Sequence, residues 1–321
     1  MTVNMQGHLM SECFDLLIFV IERDLPLLRL NMPYLRHFLR PKRCVFVASS
    51  ACLESLGRAK LAFGSDLLLD EDSLVPGLSL GAVRDLVVAR SCPPERAGWY
   101  FKQIAIFAYA FRADAGERYL CWDADTVPVR DISFFDDHGR ALLARKREHH
   151  RSYFGTIERL TGLKRQAKFS FIAEHMLFER ELVRELVAIM LGGRKFDGAL
   201  LAHTILGAVD DRDLPASGFS EYETYGTFVY AKRRERISVR RIASIRHGTA
   251  FFRRLPTAAQ LFTISRSFFW ASFESWDLSR GLQRLLRVGT RLFGVLWVLL
   301  SLATAPGAYA RFKREIDAAR D

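Results

Sequence analysis

The apolar run Tyr119-Leu120-Cys121-Trp122 stops on two carboxylates, Asp123 and Asp125, and no other segment constrains the fold as tightly. Four apolar residues in a row make a strand buried on both faces. Carboxylates at the exposed end of such a strand occupy the position where open α/β sheets bind ligands. The residues upstream agree. Phe14 to Ile21 is a short apolar run rich in branched side chains. It is followed by Leu27, Leu28, Leu30, Tyr34, Leu35 and Phe38 at helical spacing, and then by a second strand over Arg43 to Ala48. Strand, helix, strand is the opening of a parallel α/β sheet.

Further elements follow by pattern. Ala62 to Leu69 holds a strand, Trp99 to Phe111 is a strongly apolar helix, and Thr126 to Arg130 continues extended. The pattern also predicts a strand at Phe169 to Ile172, a helix over Met176 to Leu191, a helix over Ser220 to Tyr230 and a late strand over Arg236 to Ser244. A chain of 321 residues, 50% hydrophobic and with 25 Phe, buries a large core. We read one α/β domain over 1–255 and a helical basic and apolar tail over 256–321.

The five cysteines form no C-x-x-C pair and no zinc spacing, so they read as thiols in a reducing compartment. Asp15 and the acidic Glu22-Arg23-Asp24 segment interrupt the first apolar run, which therefore does not read as an export signal. A cytoplasmic location is the expectation. The formal charge of +11 calls for an anionic partner. Its basic clusters, such as Arg145-Lys146-Arg147, Lys232-Arg233-Arg234 and Arg240-Arg241, carry no interleaved aromatics, helix-turn-helix or zinc-finger spacing. Nucleic acid is therefore not the expected partner. A sugar nucleotide, a lipid phosphate and an acidic bilayer remain.

Asp-x-Asp occurs three times, at Asp70/Asp72, Asp123/Asp125 and Asp211/Asp213. Only the middle pair lies between apolar segments; the others sit in polar turns. Two hard carboxylates on a rigid edge suit Mn²⁺ or Mg²⁺ with open positions for phosphate oxygens. In the last third, Leu292 to Ala310 carries no charge, with Arg284, Arg287 and Arg291 before it and Arg311, Lys313 and Arg314 after it. Pro306-Gly307 interrupts it short of the length that spans a bilayer. Two readings stay open: a core helix that closes the domain, or peripheral, monotopic attachment to an anionic membrane surface at its inner face.

The segment from Tyr119 to Asp131 resembles the "Leu-x-Asp-x-Asp, apolar, apolar, Arg-Asp-Ile" stretch of GT-A glycosyltransferases, including glycogenin-like families. Gly98 to Gln103 and Ser220 to Gly226 are similar to blocks of a bacterial family of unassigned glycosyltransferases of that fold. The three blocks span roughly residues 14 to 250. The resemblance implies a GT-A, Rossmann-like mixed sheet flanked by helices, and an enzyme of hexosyltransferase type. The expected donor is a nucleotide-sugar, and the acceptor a glycan or lipid-linked molecule.

The resemblance also implies roles. Asp123, Asp125 and His247 would hold the metal. Asp24 would meet the nucleobase, with helix capping as the alternative. Lys102 and Gln103, which stand where the family has two Gln, would contact the donor, as would Glu174, His175 and Arg246. Ser220-Glu221-Tyr222-Glu223 has the form of a capping box, which engages Glu223 and leaves Glu221 for catalysis as base or sugar-orienting group. The rival enzyme is a haloacid-dehalogenase-type phosphatase, with Asp123 as nucleophile and Lys164 or Lys168 and Asp210-Asp211 in support. Against it, that nucleophile strand opens its domain, whereas here a strand-helix-strand unit comes first.

Overall fold

The computed structural model describes residues 13–274 and 282–319. Strand β1 (Asp15–Phe19) leads through a turn of 3-10 helix into helix α1 (Leu25–Leu39), which packs Leu28, Met32 and Leu35 against the sheet. Strand β2 (Arg43–Ala48), helix α2 (Ser50–Arg58), strand β3 (Leu67–Asp70) and helix α3 (Leu80–Val88) follow. Helix α4 (Ala97–Tyr109) is buried almost throughout and delivers the chain to β4 (Arg118–Trp122).

The main sheet has the order β3-β2-β1-β4-β7, where β7 is His175–Glu179. β1 pairs in parallel with both β2 and β4, β2 pairs in parallel with β3, and β7 runs antiparallel to β4. Helices cover both faces of the central strands, so these read as unbroken apolar runs in the sequence. The order also fixes a switch point: the chain winds outward from β1 to β3, then returns to lay β4 on the other side of β1. Crevices at the carboxyl ends of strands flanking such a point are the binding places of open α/β sheets.

Strand β5 (Thr126–Pro128) leaves the main sheet immediately after the acidic pair, and β6 (Ala141–Ala144) and helix α5 (Arg151–Thr161) come next. The expected strand at Phe169 to Ile172 is only a single bridge, Ser170 to Lys146. The strand lies later, at β7, where the pattern suggested the start of a helix. Pairing of Met176, Leu177 and Phe178 with Cys121, Leu120 and Tyr119 decides the outcome, because an apolar run of that length fits either element. Helix α6 is therefore confined to Arg180–Met190.

Helix α7 (Gly198–Ala208) precedes α8 (Glu221–Lys232). The α8 backbone comes so close to Phe171 that a Cβ on Gly226 would lie 2.2 Å from the ring. The late strand divides into β8 (Ile237–Arg240), parallel to β6, and β9 (Ser244–Ile245). After helices α9 (Gly248–Phe251) and α10 (Ala258–Ser265), strand β10 (Trp270–Ser272) inserts between β5 and β9. The sequence boundary at 255 thus lies ahead of a strand that pairs with β5.

Helices α11 (Leu282–Thr304) and α12 (Pro306–Ala318) meet at a bend of 101°. Among the described residues no single helix is long and apolar enough to cross a membrane. One face of α11 packs on the domain: Trp297 stacks on Phe252, and a Cβ on Gly294 would lie 2.7 Å from the Phe251 carbonyl oxygen. The opposite face exposes Leu292, Phe293, Val295, Leu296, Leu299 and Leu300, each by more than half.

Candidate active site

The acidic turn sits at the switch point, held by its backbone. The Asp123 N–H donates to the Glu174 carbonyl at 3.2 Å, and the Thr126 N–H closes the turn onto the Asp123 carbonyl at 3.0 Å. The Phe273 N–H donates to the Asp125 carbonyl at 2.8 Å. From α1, the buried Asn31 side chain donates to the Thr126 carbonyl at 2.8 Å, and Trp122 Nε1 donates to the same oxygen at 2.7 Å. The strand end, a neighbouring strand and a helix therefore all fix this one turn. The sequence gives no local sign of Asn31, because its partners lie more than ninety residues away.

The carboxylates there outnumber the cations. Lys102 Nζ of α4 lies 2.5 Å from Asp123 Oδ1, and Arg254 pairs with Asp24 at 2.5 Å. Asp125 has no cation partner among the described residues. Burial, then the charges of Asp123 and Asp24, push its pKa up to about 7. Burial works against the Lys102 ammonium, but Asp123, Cys121 and Glu221 together hold its pKa above the usual value. Asp24 makes no capping hydrogen bond to α1, so its carboxylate is not engaged as a cap. It stands after β1, at the same sheet edge as the acidic turn after β4.

Opposite the turn, α8 begins with Glu221. Ser220 Oγ accepts from the Glu223 N–H at 3.3 Å, as a cap should. The box is only half formed, because the Glu223 carboxylate accepts instead from Ser170 Oγ at 2.6 Å and the Phe171 N–H at 3.1 Å. Gln103, expected to meet the donor, is buried. Its Oε1 accepts from the Glu221 N–H at 3.3 Å, and its amide donates to the Trp99 carbonyl at 3.3 Å. The carboxyl of Glu221 is buried, and that burial pushes its pKa up to about 7 against the pull of Lys102.

Glu174 Oε2 accepts from Trp270 Nε1 at 3.0 Å, with Lys146 Nζ at 3.6 Å. His175 lies in the core between Trp122, Trp270 and Phe134. Burial, with Arg240 and Lys146 nearby, holds its pKa well below the usual value, so the ring is neutral. Arg246 pairs with Glu148 and lies 3.7 Å from Glu274. His247 bridges through its backbone to Phe273, the residue bonded to Asp125. Among the described residues no three His, Cys, Asp or Glu side chains are gathered as a ready-made metal cage. The donor chemistry nevertheless fits a hard cation: three carboxylates face two fixed cations, and one carboxylate is left to bear the burial cost.

The sequence reasoning missed Arg254, Lys146, Glu148 and Glu274. Lys146 and Glu148 lie within or beside a basic run that reads as a solvated surface, and the other two belong to or border the presumed tail. The phosphatase arrangement is not assembled. Lys164 pairs with Glu158, while Asp210 pairs with Arg212 and Asp211 with Arg90. The cation beside Asp123 is Lys102, which that reading does not use.

No family model matches this chain, and no curated protein matches it. Among solved structures, the apo form of mouse xyloside xylosyltransferase 1 is similar over 84% of this chain and 99% of its own, with 13% identity and a TM-score of 0.41. At that level of similarity it bears no weight for the activity of this chain.

Proposed function

We propose that the protein is a metal-dependent glycosyltransferase with a GT-A arrangement, transferring a hexosyl group from a nucleotide-diphosphate donor to a glycan or lipid-linked acceptor. The observation that carries this reading is Asp125. It is a half-buried carboxylate without a cation partner among the described residues, held by backbone at the switch-point end of β4 beside Asp123. Asp123 and Asp125, with His247 as third candidate, would hold Mn²⁺ or Mg²⁺. The ion would neutralise charge developing on the departing diphosphate.

The chain's own groups have distinct tasks in this reading. Lys102 fixes Asp123, and Arg254 fixes Asp24 at the nucleotide end. Glu221, with its pKa near 7, is suited to accept a proton from an acceptor hydroxyl or to orient the sugar. Calorimetry of nucleotide sugars with Mn²⁺ tests the reading. Wild type is expected to bind at least one donor, and binding by none sinks it.

The expected location is a further part of this proposal: the cytoplasmic, inner face of an anionic membrane. The apolar face of α11 supports it, as do the exposed Arg291, Arg311 and Arg314 and the absence of any acid from 292 to 314. The side chains of Arg284 and Arg287 lie outside the described residues. Leu296→Asp with Leu299→Asp is expected to abolish co-sedimentation with phosphatidylglycerol vesicles. Unchanged sedimentation would remove the membrane from the account.

A further inference from the structure

Beyond Glu174 and Lys146 the charge surplus reverses. Arg145, Lys146, Arg147, Lys168, Phe169 and Arg241 line an open cleft of about 570 Å³. It forms where the ends of the paired strands β6 and β8 meet the loop before β7. Of its five cations, Lys146 has a carboxylate at 3.6 Å, and no ion pair ties up Arg145, Arg147, Lys168 or Arg241 among the described residues. The neighbouring Arg240 has Nε and Nη2 buried without a hydrogen-bond partner among the described residues. Five cations lining one cleft beside a single carboxylate repel one another unless an anion sits among them. Guanidinium groups are the side chains best suited to grip a phosphate in fork geometry.

The cleft adjoins the carboxylate site. Lys146 Nζ lies 3.6 Å from Glu174 and 5.0 Å from the centre of the Trp270 ring, and it donates to Ser244 Oγ at 2.5 Å. The Glu174 carbonyl in turn holds the Asp123 N–H. The two regions are therefore one side-chain contact apart. The carboxylate end suits the donor diphosphate only with a metal, whereas the cleft attracts an anion without one.

We propose that this cleft binds a phosphate or diphosphate group carried by the acceptor, so that the acceptor is an anionic molecule. The assignment to an acceptor rests on the transferase reading above. In this reading the acceptor hydroxyl lies toward Glu221 and its phosphate among the arginines.

The test titrates inorganic pyrophosphate into the full chain in EDTA, where the carboxylate end, lacking a metal, repels it. Arg147→Glu with Arg241→Glu changes two exposed side chains of the cleft. Arg84→Glu with Lys195→Glu makes the same change in net charge at exposed positions that do not line it. Wild type and the second variant are expected to bind. The first should bind about tenfold or more weakly, the loss of one or two charge-assisted contacts. Absence of binding by wild type, or equal weakening in both variants, overturns the proposal.

Displacement of pyrophosphate by phosphatidylcholine vesicles carrying phosphatidic acid would assign a lipid-borne phosphate. Displacement only by a soluble hexose phosphate would assign a water-borne one, and displacement by neither overturns the site. The EDTA arm needs neither metal nor nucleotide, so it fails separately from the donor screen. Cleft-dependent pyrophosphate binding by a chain that binds no nucleotide sugar would sink the transferase reading, and the acceptor assignment with it.

Discussion

The acidic turn and the basic cleft are built alike, from strand ends and the short connections that follow them, yet their charges are opposite. At the turn, Asp24, Asp123 and Asp125 exceed Lys102 and Arg254. At the cleft there are five cations, of which Lys146 lies near a carboxylate, Glu174. Trp270 stands between them, its indole N–H bonded to Glu174 and its ring faced by Lys146. A surplus of carboxylate can hold phosphate only through a cation that arrives with it, while a surplus of guanidinium needs none. In the proposed reading the difference would give the site a direction, with a metal-dependent end and a metal-independent one.

The comparison can be broken most severely at the wall. Trp270 is fully buried, and Trp270→Ala should destabilise the fold by about 3–5 kcal/mol, read by denaturant unfolding. A loss below about 1 kcal/mol would mean that the two regions do not share a rigid partition. Asp125→Asn should reduce turnover by about 100- to 1000-fold while leaving pyrophosphate binding in EDTA at the wild-type level. Equal losses in both assays would merge the two ends into one.

The smallest effect concerns Glu221 and pH. Its folded pKa of about 7 lies above the ordinary value of 4.5, so between those values the folded chain holds more protons than the unfolded one. Stability is then fully present below pH 4.5 and declines as pH rises toward 7. The decline attributable to this group is at most roughly 3 kcal/mol. Glu221→Gln should lack that part of the slope, whereas the Arg147/Arg241 variant should retain it. Parallel pH–stability curves for wild type and Glu221→Gln would show that burial of this carboxyl does not set the slope.

Much of the carboxylate end was legible in the sequence. The β1-α1-β2 opening, the strand that stops on Asp123 and the cap at Ser220 are local patterns, and each formed where its spacing indicated. What the sequence hid depends on partners distant along the chain. Asp24 reads as a cap but pairs with Arg254, and Glu223 reads as the second half of a box but serves Ser170 and Phe171. Met176 to Phe178 have the apolar character of either a helix or a strand, and only pairing with β4 distinguishes them. The cleft was hidden for a simpler reason: its cations come from three separate segments, each unremarkable alone.

Helix α1 links two parts of the molecule that the sequence would treat as separable. Its Asn31 holds the Thr126 carbonyl behind the acidic pair, while Tyr34 and Phe38, one and two turns further along, pack against Phe312 of α12. The last helix therefore braces the same rod that sets the angle of the acidic turn. A chain shortened before residue 306 loses that brace and uncovers two aromatic rings. Its lowered activity would then report a slackened support, and would say nothing about whether the missing helix had touched a substrate.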